Sequence, residues 1–419
     1  MKILYLVHQF YPEFQTGTEK FVYNCAFMGQ KFGNKVKVIT YSFYDDSFYD
    51  REENYILSKE ILYQGIPILV FKLKKQPSDI NISLESTNLY EIAKRIIEDE
   101  QPDIVHIGHL MRMSDFIQVI EEKKIPYIIT LTDFFLICPK VILAPNRYSL
   151  CSGPQKGTAC ANLCKEFSGD FIKSRLKKAK NILINAKYVT CPSNFVARII
   201  TQEYENLKIV TINHGIRYKH ILENKRNYVD QDQITFGYAG SLLFHKGVQV
   251  LIESFKKIHN EYAKLVIYGS GKEDFVNKLK EIVGNDERIS FCGSYNEEQL
   301  GRIFQEIDVL IIPSICYESY SLVMHEALAS NVPVITSNLG GMAERITDGV
   351  NGYIFKAANS SELKNKMNLI VENPSILNKL KINIKTNMII PTVEQEAYQY
   401  FKLYNNIING QNTIFDSSE

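Results

Sequence analysis

The sequence predicts an α/β protein built from two doubly wound domains with parallel sheets. Three observations predict this class. Short β-branched runs alternate with amphipathic stretches of helix length along most of the chain. The runs are nearly continuous in apolar residues, which is typical of strands that helices cover on both faces. The chain has 419 residues, and a single hydrophobic core rarely grows that large, so two or three domains are expected.

Eleven runs are predicted to be strands, and helical stretches separate most of them. Strict alternation of strand and helix indicates parallel sheets joined by right-handed crossovers. The runs are Ile3–Val7, Val36–Thr40, Ile104–Ile107, Ile125–Leu131, Tyr188–Cys191, Ile209–Ile212, Ile234–Ala239, Leu265–Tyr268, Ile289–Cys292, Val309–Ile312 and Val332–Thr336.

The alternation pauses at a polar segment over residues 220–232. We therefore expect a Rossmann-like N-terminal domain over residues 1–214, a linker over 215–233 and a Rossmann-like C-terminal domain over 234–392. A last helix is predicted over 393–408, and we expect it to pack back on the first domain. Open parallel sheets bind ligands beyond the carboxyl ends of their strands, so the two domains are expected to face each other across one cleft.

Composition and charge exclude several functions. The formal net charge is +1, from 48 basic and 47 acidic residues, which argues against nucleic acid as a partner. No apolar run reaches the roughly 18 residues of a membrane-spanning helix. The apolar core of the first eight residues is too short for a signal peptide, so we expect a cytoplasmic protein.

Two loops that follow predicted strands have the composition of anion-binding loops. Gly17 stands just before a predicted helix, where glycine lets a ligand approach the backbone and the helix start offers free N–H groups. Lys246 and Gly247 follow the first strand of the second half, and a lysine beside open backbone donors suits a diphosphate. A tight turn and a solvated lysine explain the same residues without a ligand.

The most informative segment follows the buried strand over 309–312. Glu318 and Glu326 are eight residues apart, with small polar residues between them at a predicted helix start. Eight residues of helix span about 12 Å, close to the distance from a sugar ring past two phosphates to a ribose. Glu318 would then meet the sugar, the N–H groups of Ser321 and Leu322 the phosphates, and Glu326 the ribose. A capped helix with two solvated glutamates is the alternative.

The segment from Glu318 to Ala329 resembles the motif E-x-F-G-L-V-x-x-E-A-x-A of the retaining nucleotide-sugar glycosyltransferases of family 4, which have the GT-B architecture. The family opening F-x-P-x-x-G-G-x-E is matched from Phe10 to Glu19, and its loop G-R-L-x-x-x-K-G from Gly240 to Gly247. Later G-G-x-x-E and D-G-x-N-G segments are similar to residues 340–344 and 348–352. These motifs occur in the family's order, and the resemblance runs from residue 1 to about 404.

The resemblance implies a donor site and a catalytic group. Glu318, Lys246 and Asp133 would take part in catalysis. The donor would be bound by Gly17, Ser241, Lys246, Ser321, Leu322 and Glu326. Transfer would retain the anomeric configuration, and no metal or other cofactor would be required for catalysis, because a lysine and a helix terminus supply the electrostatic stabilisation.

Two positions depart from the family pattern. The arginine of G-R-L is Ser241 here, so one cation for the diphosphate is missing. Either Lys246 suffices, or another cation such as Lys272 or Arg345 replaces it. The family's T-L-H-D-Y-W is T-L-T-D-F-F, so the histidine that commonly touches the transferred sugar is Thr132. Asp133 keeps the aspartate of that motif.

A cysteine-rich loop and a basic stretch are not explained by the donor site. Four cysteines fall within a loop-like composition and suit a structural zinc site, with reduced thiols as the alternative. They are Cys138, Cys151, Cys160 and Cys164. Seven basic residues lie between Lys165 and Lys187, which could contact an anionic lipid surface or form a solvated helix face.

The sequence thus predicts a retaining, hexosyltransferase-type glycosyltransferase. Its partners would be a nucleoside diphosphate sugar and a glycan or lipid-linked acceptor, in the synthesis of cell-surface polysaccharide. Peripheral contact with the inner face of the membrane would fit the basic stretch. The alternatives are a non-catalytic, glycosyltransferase-like partner subunit and an epimerase or phosphorylase of the same architecture.

Overall fold

A computed structural model describes residues 1–85, 88–147 and 149–411. The chain forms two compact units. The N-terminal unit contains residues 1–145, 151–214 and the chain from 393 onwards, and the C-terminal unit contains residues 215–392 and the short segment 146–150. Both units are α/β, which confirms the predicted fold class.

The strands of the N-terminal unit are β1 to β9 and those of the C-terminal unit are β10 to β15. In chain order they are β1 Lys2–Val7, β2 Lys35–Tyr41, β3 Arg51–Glu53, β4 Ile56–Tyr63, β5 Ile66–Leu73, β6 Ile104–Ile107, β7 Tyr127–Thr130, β8 Tyr188–Cys191, β9 Ile209–Thr211, β10 Ile234–Ala239, β11 Ala263–Tyr268, β12 Ile289–Gly293, β13 Val309–Ile312, β14 Val334–Ser337 and β15 Gly352–Phe355.

Helices connect most of the strands, and three helices follow the last strand of the C-terminal unit. In chain order they are α1 Gly17–Lys31, α2 Tyr90–Glu100, α3 Ser114–Glu122, α4 Thr158–Leu163, α5 Gly169–Asn185, α6 Asn194–Glu203, α7 Val248–Phe255, α8 Glu273–Val283, α9 Leu300–Glu306, α10 Leu322–Ala329, α11 Ser360–Glu372, α12 Ile376–Asn387 and α13 Val393–Ile408.

The N-terminal sheet has the strand order β3-β4-β5-β2-β1-β6-β7-β8-β9. From β5 to β9 in this order, neighbouring strands pair in parallel, while β3 pairs antiparallel with β4 and β4 antiparallel with β5. Among the parallel strands, β1, β6 and β7 are almost wholly buried, as their apolar runs predict. Their carboxyl ends therefore form one edge of the sheet, where the loops after β1, β2, β6 and β7 are neighbours.

The C-terminal sheet is wholly parallel, with the order β12-β11-β10-β13-β14-β15. Alternate residues of β13 pack into two different cores: Val309 and Ile311 into one, Leu310 and Ile312 into the other. Burial on both faces explains why this strand carries no polar residue. The carboxyl ends of β10, β13 and β14 lie side by side.

Helix α13 belongs to the N-terminal unit. Its residues Tyr400, Phe401 and Tyr404 are part of the core that contains β1 and α1. Residues 215–233, for which the sequence indicates a linker, pack along the C-terminal unit instead. There Arg226 pairs with the buried Asp308 at 3.0 Å, and the Tyr228 hydroxyl donates a hydrogen bond of 2.8 Å to the same carboxylate.

No helix of the described residues is long and apolar enough to cross a bilayer.

Candidate active site

Two loops at neighbouring strand ends of the C-terminal sheet bring Lys246 and Glu318 together. Strands β10 and β13 pair in parallel, and the loop after β10 packs on the loop after β13. Gly247 lies at this contact with φ of +74°, and a Cβ atom there would lie 1.9 Å from the carbonyl oxygen of Pro313. Only glycine permits both the conformation and the approach. Gly247 therefore fixes the position of Lys246.

Lys246 and Glu318 form an ion pair. The Lys246 ammonium donates to Oε1 of Glu318 at 2.7 Å, and the Ser314 hydroxyl donates to the same oxygen at 2.7 Å. Burial opposes both charges, but the attraction between them and their hydrogen bonds outweigh it, so the pKa of Glu318 is lowered and the pKa of Lys246 is raised. Both groups are charged at neutral pH. Ser314 was not predicted from the sequence.

A third loop, after β14, holds the backbone of Glu318. The N–H of Gly341 donates to the carbonyl oxygen of Glu318 at 2.8 Å. Gly340 has φ of +75°, and a Cβ atom at this position would lie 2.2 Å from that oxygen. The glycine pair of the sequence motif therefore fixes the position of the backbone at Glu318.

Helix α10 begins next to this pair. Ser321 is its N-cap, and the Ser321 hydroxyl accepts a hydrogen bond of 3.4 Å from the N–H of Met324. The N–H groups of Ser321 and Leu322 donate no hydrogen bond within the described part of the chain. A helix start with free donors and a partial positive charge favours an anion.

Glu326 lies on the second turn of α10 and is 7% exposed. Its charge, together with burial, raises the pKa of Tyr295, which follows β12. Tyr295 lies in the segment 294–297, directly after β12. The structure therefore brings this segment close to the glutamate that the sequence assigns to a ribose.

The cation lost at Ser241 is not replaced by a side chain on the same loop. Ser241 is exposed, and its carbonyl oxygen accepts a hydrogen bond of 2.8 Å from the Tyr238 hydroxyl. Lys272 is exposed, and Arg345 donates to the carbonyl oxygen of Ile389 at 2.6 Å. Of the three cations Lys246, Lys272 and Arg345, Lys246 is the one that contacts Glu318.

In the N-terminal unit, Gly17 is the first residue of α1. Thr16 and Glu19 form a capping box there, and a Cβ atom on Gly17 would meet no atom within 4 Å. The Thr18 hydroxyl donates to the Thr132 hydroxyl at 2.9 Å. The start of α1 and the loop after β7 are therefore in contact, and the Thr132 hydroxyl is hydrogen-bonded to another residue of the N-terminal unit.

Asp133 is oriented by two hydrogen bonds. Its Oδ2 accepts from Nε2 of His109 at 2.8 Å, and its Oδ1 accepts from the N–H of Phe135 at 2.8 Å. Nδ1 of His109 accepts from the N–H of Met111 at 3.1 Å, which leaves the ring proton on Nε2. The Asp133 side chain is 28% exposed, so the carboxylate is held in place and open to a ligand. The role of His109 was not predicted.

The zinc site that the cysteine spacing predicts is not formed. Among residues 1–85, 88–147 and 149–411, no group of three or more histidine, cysteine or acidic side chains is placed to hold a metal ion. The four thiols do line one pocket. Burial and the neighbouring thiols raise the pKa of Cys160 to about 12, and burial raises the pKa of Cys138 and of Cys164. Neutral thiols pack here as small apolar groups.

The basic stretch forms an exposed face of α5. Lys173, Lys177 and Lys180 recur at helical spacing and are exposed, whereas Arg175 is buried and donates to backbone carbonyl oxygens. Ile184, on the same face, is 60% exposed. None of the three lysines forms an ion pair among the described residues.

A family model and several related proteins match parts of this chain. A family model described as glycosyl transferases group 1 matches residues 221–387, which include Lys246, Glu318 and Glu326. An uncharacterised glycosyltransferase of Methanocaldococcus jannaschii is 25% identical over 355 residues, 83% of each chain. The lipopolysaccharide 1,2-N-acetylglucosaminetransferase of Salmonella typhimurium is 24% identical over 194 residues, 42% of this chain and 51% of its own.

The fold also matches solved structures. Anabaena HepE, in complex with UDP and glucose, superimposes with a TM-score of 0.68 at 17% identity, over 99% of this chain and 100% of that one. At this identity the match shows the GT-B fold alone. Fold, family model and motif order together lead to one conclusion: residues 221–387 match the family described as glycosyl transferases group 1, and the chain as a whole has the GT-B fold.

Proposed function

We propose that this protein transfers a hexose from a nucleoside diphosphate sugar to a glycan or lipid-linked acceptor in the synthesis of cell-surface polysaccharide. One observation supports the donor site above all. The Lys246–Glu318 ion pair lies next to the start of α10, and Glu326 is on the second turn of that helix. A cation, free N–H groups and two glutamates are the groups that a diphosphate between two sugars requires.

In this proposal each group of the C-terminal unit has one task. The Lys246 ammonium and the N–H groups of Ser321 and Leu322 bind the diphosphate. Glu318 accepts hydrogen bonds from hydroxyl groups of the transferred sugar, and Glu326 accepts from the ribose. The Lys246 ammonium and the two N–H groups stabilise the negative charge that develops on the leaving phosphate. Family 4 glycosyltransferases typically work without a metal ion.

The reaction breaks the bond from the anomeric carbon of the hexose to the terminal phosphate oxygen. A new bond forms between that carbon and an acceptor hydroxyl oxygen on the same face, so the configuration is retained. The hydroxyl proton passes to the leaving phosphate oxygen. Lys246 and the helix start favour departure because they lower the energy of the dianionic product.

The N-terminal unit supplies the remaining proposed groups. We assign a contact with the diphosphate to Gly17, since a ligand can reach its backbone without meeting a side chain. We assign a part in catalysis to Asp133, because His109 and Phe135 fix the carboxylate while leaving it accessible. The Salmonella relative, which acts on lipopolysaccharide, supports a surface glycan as acceptor.

The donor assignment is tested by thermal unfolding with a panel of nucleoside diphosphates and their sugars. A ligand that binds only the folded chain at 100 times its Kd stabilises it by about 2.7 kcal/mol. We expect one base to raise the melting temperature selectively. Glu326→Ala should abolish this shift, because the ribose loses its acceptor.

Glu281→Ala is the matched control, since Glu281 is an exposed glutamate on α8. It should keep the full shift. A full shift in Glu326→Ala would contradict the ribose assignment. A shift in the wild type without hydrolysis or transfer from any donor would favour the non-catalytic partner subunit, which the departures at Ser241 and Thr132 also suggest.

A further inference from the structure

Arg112 is a half-buried cation to which the donor site assigns no task. It follows β6, in the loop over residues 108–113, and its backbone has φ of +66°. A residue other than glycine in this conformation is uncommon and strained. The guanidinium is held by two hydrogen bonds: Nε donates to Oδ1 of Asn81 at 2.6 Å, and Nη1 donates to the carbonyl oxygen of His8 at 2.9 Å.

This guanidinium has no acidic partner. Among the described residues, no carboxylate lies within ion-pair distance of Arg112. Burial lowers its pKa to about 10, which still leaves it charged at neutral pH. Its second terminal nitrogen, Nη2, makes no hydrogen bond to the described residues and is not sealed from solvent. A buried cation is stable when an anion or hydrogen-bond acceptors satisfy it.

Aromatic rings lie beside the cation. The Arg112 guanidinium carbon is 4.7 Å from the ring centroid of Phe43, whose side chain is 40% exposed. The rings of Phe14 and Phe43 meet edge to face at 5.6 Å. Apolar faces of sugar rings pack on exposed aromatic rings, and a guanidinium binds carboxylate or phosphate through two parallel hydrogen bonds.

The same edge of the sheet carries Asp133. Strand β1 pairs in parallel with both β2 and β6, so the ends that carry His8, Phe43 and Arg112 are neighbours. The centroids of the His8 and His109 rings lie 4.0 Å apart, with the ring planes tilted by 35°, and His109 donates to Asp133. The rings of His8 and His109 thus connect Arg112 to the carboxylate assigned to catalysis.

We propose that Arg112, with Asn81 and the ring of Phe43, forms an acceptor subsite for a sugar that carries an anionic group, either a carboxylate or a phosphate. This inference rests on the proposed function and narrows its acceptor. The acceptor is then an acidic glycan or a phosphate-linked sugar, bound by its charge at Arg112 and by its ring at Phe43.

The test compares three small probes by calorimetric titration, with and without saturating UDP: methyl glucoside, methyl glucuronide and glucose 1-phosphate. The wild type should bind at least one anionic probe roughly tenfold or more tightly than the neutral one, the usual gain of a charge-assisted contact. The glucuronide and the phosphate distinguish the two sources of the anion. Arg112→Gln should bring the ratio of anionic to neutral affinity close to one.

Arg198→Gln is the matched control, because Arg198 also lies over a phenylalanine ring, Phe195, at 5.4 Å, but is exposed elsewhere on the unit. It should keep the ratio. If Arg112→Gln does not fold, Arg112→Lys keeps the charge without the planar fork and should reduce the preference for carboxylate more than for phosphate. Phe43→Ala should weaken all three probes.

Two results would overturn the proposal. One is equal affinity of the wild type for neutral and anionic probes. The other is weaker UDP binding in Arg112→Gln, which would assign the cation to the donor. A wild type that binds no nucleoside diphosphate would overturn the proposed function. The affinities of the three probes could still be compared in that case, because the titration without UDP does not depend on the donor.

Discussion

At the scale of single residues, Lys246 and Glu318 show what a motif can and cannot reveal. Residue type and order already indicate that both belong to a donor site. Their contact at 2.7 Å depends on Gly247, which lets two loops 70 residues apart pack together. In the chain without ligand, Glu318 therefore neutralises the ammonium that would otherwise meet a diphosphate. In the proposed donor site, the two charges compensate each other in the absence of substrate.

This ion pair predicts opposite effects on binding and on transfer. In Glu318→Gln the ammonium has no counter-charge, so UDP should bind at least about threefold more tightly, a small part of a Coulomb interaction at this distance. Transfer should fall by about 100-fold or more, because the sugar loses a charged acceptor. Titration with UDP and the rate of transfer from the selected donor measure the two effects.

Glu253→Gln, an exposed position on α7, is the control and should change neither value. Weaker UDP binding in Glu318→Gln would mean that the pair only supports the loops.

The ion pair also predicts that its contribution to stability does not change with pH near neutrality. The lowered pKa of Glu318 means that its contribution is lost only as the pH falls through that value, and the raised pKa of Lys246 means that its contribution is lost only as the pH rises through that value.

At the scale of elements, the predicted strands are present because continuous apolar runs report burial on both faces. Three strands at one edge of the N-terminal sheet were not predicted. In β4, partly buried and exposed residues alternate from Lys59 onwards, and β3 is exposed throughout, so neither has the composition of a central strand. Gln64 and Gly65, both with positive φ, form the two-residue turn between β4 and β5. Gly65 was the available signal for this hairpin.

Helix α13 is anchored by a buried polar network. Nδ1 of His106 is 2.5 Å from the Tyr404 hydroxyl, and Nε2 is 2.7 Å from the Thr130 hydroxyl. The hydroxyl oxygens of Thr130 and Thr190 are 2.7 Å apart, and the Tyr400 hydroxyl lies 3.3 Å from both of them. His106 is thus bound within the core, where burial lowers its pKa to about 3.

Removing one hydroxyl from this network should destabilise the N-terminal unit. Tyr404→Phe leaves a buried nitrogen of His106 without its partner, which costs about 1–3 kcal/mol of unfolding free energy. Denaturant unfolding measures the loss. Tyr398→Phe is the control on the same helix, because Tyr398 is 68% exposed, and it should be neutral. Equal stability of Tyr404→Phe and the wild type would show that water or a neighbouring group satisfies His106.

At the scale of the whole molecule, a nearly neutral chain carries a local basic face. The net charge is +1, yet α5 exposes Lys173, Lys177 and Lys180 on one side, together with Ile184. We propose that this face binds an anionic membrane surface, since lysines near such a surface contribute about 1 kcal/mol each.

Co-sedimentation with vesicles tests this surface. The protein should bind vesicles of anionic phospholipid, bind neutral phosphatidylcholine vesicles weakly, and dissociate as the salt concentration rises. Replacing the three lysines by glutamine should weaken binding by about 3 kcal/mol, more than 100-fold. The same change at three exposed lysines of the C-terminal unit, Lys264, Lys278 and Lys280, should leave it unchanged. An equal loss of vesicle binding in both variants would mean that net charge alone, and not the face of α5, is responsible for the binding.

The sequence by itself determined the class of the fold, the positions of the central strands along the chain and the residue types of the proposed donor site. These properties depend on local periodicity and on motif spacing, which one stretch of chain contains in full. Only the tertiary structure decided which groups meet. It placed the hydrogen-bond donors Ser314 and Lys246 beside Glu318, and His109 beside Asp133. It also placed the Arg112 guanidinium beside aromatic rings, with no carboxylate of the described residues within ion-pair distance. It also left the four cysteines around one pocket without forming the zinc site that their spacing predicts. Such contacts join distant segments, and their geometry depends on backbone approach and burial, which a linear pattern does not contain.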